Sequence, residues 1–175
     1  MLCLRGHFRF PECLRDQSDM KIARESFSDA LLEEVLPLAQ RSWEENTALK
    51  GERCAYFGRR DFNIEPDVEC YRTLAKAGVL VIITAREEKL VGYAMGYLNR
   101  SAHHRSILCG YGDSIYLEPA YRGHGAALLR AIERELKEGG AIALGWPATQ
   151  DSPLYALLKS FGYVGDDIVM EKLCA

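Results

Sequence analysis

A strand-like run ending at Ile115-Tyr116-Leu117-Glu118-Pro119 passes through Arg122-Gly123-His124-Gly125-Ala126-Ala127 into a helix-like run from Ala126 to Lys137. A strand that turns into a helix through glycines demands a layered α/β arrangement and shapes one end of the sheet for a ligand. Gly123 and Gly125 lack a Cβ, so the backbone there is free to take positive φ and to lie close against a bound group. The first N–H groups of the helix have no acceptor within it. Those donors and the helix dipole favour an anion. At about 1.5–3 kcal/mol for each hydrogen bond to a charged partner, three or four of them hold a pyrophosphate without a lysine.

The turn lacks the Gly-Lys-Ser or Gly-Lys-Thr of a nucleoside triphosphate loop, and Leu128 stands where a dinucleotide fingerprint would need its third glycine. The pattern Arg122-x-x-Gly125-x-Ala127 resembles instead the acetyl-CoA pyrophosphate loop of the GNAT N-acetyltransferase superfamily, with Ala127 the permitted variant at its last place. The resemblance covers roughly Lys21 to Leu173 and is specific from Ser106 onward. It implies acetyl-CoA as cosubstrate, no metal, and acetyl transfer to an amine acceptor, either a small molecule or a protein. It also implies cofactor contacts from Arg122, Gly123, His124, Gly125, Ala126 and Ala127. The oxyanion donor would be a backbone N–H within Ile115, Tyr116 and Leu117. His124 occupies a variable place in the motif, where a solvent-facing helix start is the ordinary role.

The flanking patterns agree. Ser106 to Leu117 is apolar and β-prone, while Leu128, Leu129, Ile132 and Leu136 recur at helical spacing with Glu133, Arg134 and Lys137 between them. Ala141 to Leu144 reads as a short strand, Ser152-Pro153 as the N-cap and first turn of a helix running to about Ser160, and Gly162 as its C-terminal stop. Ile168 to Leu173 reads as a last strand. Upstream, Met20 to Glu25 opens as a strand, and Ser28 or Asp29 caps a helix to about Glu45 that carries Leu31, Leu32, Val35, Leu36 and Leu38. Thr47 to Asn63 reads as loop around a short turn or helix. Pro66 starts a helix to Lys76, with Val68, Tyr71, Leu74 and Ala75 inward and Gly78 ending it. Val79–Thr84 and Leu90–Leu98 form a hairpin. The order β-α-α-β-β-β-α-β-α-β predicts a single-domain α/β (α+β) fold, one mixed and mostly antiparallel sheet flanked by helices. By the resemblance, a splayed strand pair in that sheet holds acetyl-CoA.

Length and composition fit one domain over residues 20–175, since 175 residues with 48% hydrophobic content bury about 70% of the unfolded surface. Net charge −3 and a pI near 5.8 give no basic face for nucleic acid. No apolar run reaches membrane length. The six cysteines, Cys3, Cys13, Cys54, Cys70, Cys109 and Cys174, contain no C-x-x-C pair and read as free thiols in a reducing cytoplasm. Residues 1–19 match no template, with charges breaking every apolar face. They read as an N-terminal extension or loose arm, and Met20 as the natural start. Exposed edge strands leave room for a homodimer.

The implied chemistry has three needs. An alkyl amine with a pKa near about 10.4 is free base to only about one part in a thousand at neutral pH, so a carboxylate that takes its proton directly or through water helps. Asp113, nine residues before Arg122 on a strand whose half-burial would raise a carboxylate pKa, is the candidate base; the alternative is an edge or bulge aspartate satisfied by backbone. The family commonly protonates the leaving thiolate with a tyrosine four residues before the closing glycine, a position that Leu158 fills here. Tyr155, three residues earlier on the same face, is the candidate acid or cofactor contact, against plain packing; water is the remaining proton source. Trp43, Glu44, Glu45 and Tyr56 fall where the family shapes its acceptor pocket, and acidic groups there favour a cationic amine. His103-His104-Arg105 reads as a surface loop, Glu118 as a surface carboxylate at a strand end, and Trp146-Pro147 as either a cleft wall or a strand-ending turn. Two other functions stay open: a catalytically silent acyl-CoA-binding regulatory module, which Leu158 favours, and a phosphate-binding protein unrelated to coenzyme A.

Overall fold

The computed structural model describes residues 20–50, 64–100, 103, 105–150 and 152–165. Residues 1–19, Tyr56 and the expected strand from Ile168 to Leu173 lie outside them. Strand β1 (Lys21–Glu25) leads through Ser28 into helix α1 (Asp29–Lys50), whose start is capped by the Ser28 hydroxyl, which accepts from Leu31 N–H at 3.1 Å. The helix runs one turn beyond the expected Glu45, through an exposed Pro37. Helix α2 (Val68–Lys76) is capped by Asp67 and stopped by Gly78 at φ 70°.

Strands β2 (Leu80–Arg86), β3 (Leu90–Arg100) and β4 (Leu108–Leu117) follow as an antiparallel meander, then α3 (Gly125–Glu138), β5 (Ala143–Gly145) and α4 (Pro153–Ser160). The strand order is β1-β2-β3-β4-β5, antiparallel except for the parallel pair β4 and β5. The expected mixed, mostly antiparallel sheet is therefore present. β5 begins two residues later than the sequence suggested, because Ala141 N–H bonds back to Leu136 O and only Ile142 N–H reaches Leu108 O.

Both faces of β2 are covered, which is why it reads as an unbroken apolar run. Val81, Ile83 and Ala85 pack with Leu128, Leu129, Ile132 and Leu136 of α3 and with Leu158 of α4, whereas Leu80 and Ile82 pack with Leu31, Val35 and Leu38 of α1. Each large apolar side chain buried in this way contributes about 1.5–3 kcal/mol. The helices thus fix the sheet from both sides and leave the β4–β5 end as the place where its pairing opens.

Candidate active site

β4 and β5 share three rungs, Cys109 with Ala143, Gly110 with Leu144 and Tyr111 with Gly145. Beyond them β4 continues to Leu117 with no strand on that edge among the described residues. The register with β3 also shifts here: Met95 faces Ser114 while Gly96 faces Gly112, so Asp113 is the extra residue of a β-bulge. Glu118 N–H bonds to Val91 O at 2.9 Å. By the alternation of an antiparallel ladder, Tyr116 N–H then turns to β3, and the N–H groups of Ile115 and Leu117 face the open edge. Of the three residues expected to supply an oxyanion donor, the geometry favours these two.

The chain leaves β4 through a 3₁₀ segment (Pro119–His124) rather than a simple turn, and enters α3 at Gly125. Positive φ is not used here. Gly125 sits at φ −54°, and the positive-φ glycines among the described residues are Gly78, Gly140 and Gly162. The absent Cβ serves close approach instead: at Gly123 it would meet nothing within 4 Å, and at Gly125 only Leu157 Cδ2 at 3.8 Å. Side chains of Ser28, Asp67 and Ser152 cap the other three helices, whereas His124 makes no side-chain cap for α3. Open space over glycine beside an uncapped helix start fits the phosphates of a coenzyme A. Ala126 and Ala127 follow in the first turn with only methyl side chains.

Arg122 is engaged by α1 and by the end of β4. Its Nη2 lies 2.6 Å from both carboxylate oxygens of Glu45, and Nε donates to Leu117 O at 3.5 Å. The Tyr116 hydroxyl donates to the same Glu45 at 3.1 Å, and Arg41 pairs with Glu118 at 2.6 Å. These contacts strap α1 to the end of β4. They also occupy Glu45 and Glu118, while Glu44 accepts from Gln40 at 3.0 Å. Glu44, Glu45 and Glu118 are thus each engaged by a protein partner.

Asp113 is exposed, not half-buried as its strand position suggested. On the face of the sheet that carries α1 and α2, its Oδ2 accepts from the Tyr71 hydroxyl at 2.9 Å and from the Ser114 hydroxyl at 3.4 Å. Burial, with Asp113 second, pushes the Tyr71 phenol well above its ordinary pKa, so it remains a donor at any physiological pH. Burial likewise pushes neighbouring Tyr93 up to about 12. Tyr97 and Tyr111 stack at 5.8 Å across β3 and β4, two residues before Asp113. Nothing in local spacing flags Tyr71 as a partner of Asp113, since its position in α2 reads as core. The bulge had a signal in Gly110 and Gly112, glycines inside a strand.

Tyr155 is half-buried on α4, one turn from the buried Leu158, and its hydroxyl makes no hydrogen bond among the described residues. Leu157, beside it, approaches Gly125, so α4 flanks the start of α3. His103 and Arg105 are exposed, and His104 lies outside the described residues. The described residues include no group of His, Cys, Asp or Glu arranged to hold a metal and no helix long and apolar enough to cross a membrane.

The acetyltransferase (GNAT) family model matches residues 31–163. No curated protein matches the chain in sequence. Among solved structures, an aminoglycoside acetyltransferase from an uncultured soil metagenomic sample, in complex with trehalose, is 17% identical with TM-score 0.67, covering 92% of this chain and 99% of its own. AAC(6')-Iy in complex with the bisubstrate analogue CoA-S-monomethyl-acetylneamine is 17% identical with TM-score 0.61, over 90% of this chain and 100% of its own. A Trypanosoma brucei acetyltransferase is 12% identical with TM-score 0.63, over 89% and 100%. At these identities the likeness is one of fold.

Proposed function

The chain belongs to the acetyltransferase (GNAT) family, and from that premise we propose that it moves the acetyl group of acetyl-CoA to an amine by direct attack in a ternary complex. The observation that carries this reading is the bulge: at it the carboxylate of Asp113 is exposed on the α1–α2 face of β4, the strand whose other edge is open beyond Tyr111. Bound acetyl-CoA supplies an activated thioester. The chain's own groups do the rest. The N–H groups of Ala126 and Ala127 face the phosphates, and those of Ile115 and Leu117 receive the thioester oxygen as it gains charge. Asp113, directly or through water, takes a proton from the incoming ammonium so that its nitrogen can form the C–N bond. As the C–S bond breaks, the nitrogen gives up its second proton to water, and the thiolate takes one from the Tyr155 hydroxyl, which water then reprotonates, or directly from water.

The acceptor we infer is a cationic amine, held by the Asp113 carboxylate with the Tyr97–Tyr111 stack offering ring faces two residues away. Aminoglycosides belong in the first panel because they are the substrates named for several of the similar structures. The free thiols of Cys70 and Cys109 support a reducing, cytoplasmic setting.

A second reading has one specific observation behind it. Leu158, at the place where the family commonly keeps its tyrosine acid, is 4% exposed and part of the core, which suits a silent coenzyme A-binding module. Calorimetric titration with acetyl-CoA, followed by thiol release across amines, separates the two. Binding with amine-dependent release supports the transferase; binding with no release on any amine supports the module; no binding refutes both.

A further inference from the structure

The last rung between β4 and β5 joins Tyr111 to Gly145, so the next residues along the diverging strands are Gly112 and Trp146. The indole lies directly on the Gly112 backbone, where a Cβ would fall 2.1 Å from both Cδ2 and Cε3 of the ring. Only glycine admits that approach. The ring also packs against the core cluster to which α3 and α4 contribute. Its Nε1–H is buried without a hydrogen bond of ordinary geometry, close to a Tyr163 hydroxyl that donates to Glu133 at 2.8 Å. Lys137 holds the second oxygen of Glu133 at 3.1 Å. The indole is thus wedged at the apex of the opening and braced by that cluster.

We propose that Trp146 is the end wall of the donor slot and restricts the transferred group to a short acyl chain. The inference rests on the transferase reading above, in which the phosphates sit at the start of α3. That point lies at the Leu117 end of the free edge of β4. The arm of the coenzyme then runs along this edge past the N–H groups of Leu117 and Ile115, and its thioester faces the apex. An acetyl group ends before the indole. Each added methylene must displace a ring that the Gly112 backbone and the core hold in place, and a filled apolar pocket discriminates by roughly tenfold or more for one methylene.

The test is equilibrium binding of free coenzyme A and of its acetyl, butyryl and hexanoyl thioesters, which needs no knowledge of the acceptor. We expect wild type to bind the butyryl thioester at least about tenfold more weakly than acetyl, Trp146→Ala to bring the two within about threefold, and Trp146→Phe to retain most of the difference. If Trp146→Ala does not fold, Trp146→Leu trims the wall with less loss of packing and is expected to narrow the gap. Wild type that binds hexanoyl- and acetyl-CoA equally, or a shortened side chain that leaves the discrimination unchanged, overturns the proposal alone. Failure of free coenzyme A to bind removes the transferase reading and this inference with it.

Discussion

The Tyr71 hydroxyl donates to Asp113 Oδ2 at 2.9 Å, joining α2 to the bulge of β4 across 42 positions of sequence. An exposed carboxylate would otherwise sample many rotamers; this contact holds one oxygen and leaves the other for a substrate or a water. Asp113→Asn keeps the shape and removes the proton acceptor. Turnover at neutral pH should fall by about 10²–10⁴-fold, the usual range for a lost general base, with acetyl-CoA affinity nearly unchanged. Equal turnover of the variant in steady-state assays would remove Asp113 from the mechanism. Tyr71→Phe should lower turnover by less, since it loosens the base without deleting it.

Gly125→Glu tests the phosphate site. The residue has ordinary helical φ and ψ, and only Leu157 Cδ2, at 3.8 Å, comes near a new Cβ, so the fold should tolerate it. A carboxylate at the start of α3 then competes for the same N–H groups. Loss of one charge-assisted hydrogen bond, about 1.5–3 kcal/mol, predicts coenzyme A binding weaker by at least roughly tenfold in calorimetry, with a melting temperature near that of wild type. Unchanged affinity would place the cofactor elsewhere.

What could be read without coordinates follows the range of the forces involved. The apolar stripe of α3, the unbroken run of β2 and the Ser152-Pro153 start of α4 are local patterns, and each produced the expected element. Contacts that define the site are not local. Arg122 reaches Glu45 across 77 positions, and this pairing ties the guanidinium to α1, a contact that no local pattern announces. Asp113 lies on a strand that is half-buried as a whole, and the bulge leaves this one residue exposed. Of the two freedoms that glycine gives at 123 and 125, positive φ and close approach, the fold uses the second.

Leu158 offers a test of whether the departure at the usual tyrosine position is reversible. Leu158 is buried among Leu128, Leu129 and Ile132, so Leu158→Tyr must overpack a filled core. It should cost about 1–3 kcal/mol and lower the melting temperature by about 2–4 °C per kcal/mol, with no gain in thiol release. Tyr155→Phe, on the half-buried side of the same helix, should leave stability close to wild type and reduce turnover. A faster Leu158→Tyr enzyme would show that the acid site was vacated without being rebuilt.

Glu25 provides the pH-dependent prediction. Its carboxylate accepts from Arg86 Nε at 2.7 Å and from the Thr84 hydroxyl at 2.5 Å. The Arg86 hydrogen bonds, and less strongly Thr84, hold its pKa below the ordinary 4.5, against an opposing effect of burial. A folded-state pKa that is depressed means stability fully present above the unfolded value and lost as pH falls through the folded one. Glu25→Gln should therefore be less stable than wild type at pH 7, by about 0.5–1 kcal/mol for a partly exposed pair. Arg86 keeps a second partner in Glu34 at 2.6 Å, which limits the loss. Thermal melts of both proteins should converge as pH drops below 4.5, because wild type alone gives up the charged interaction. A gap that stays constant from pH 7 to pH 3 would show that Glu25 contributes through packing and not through its charge.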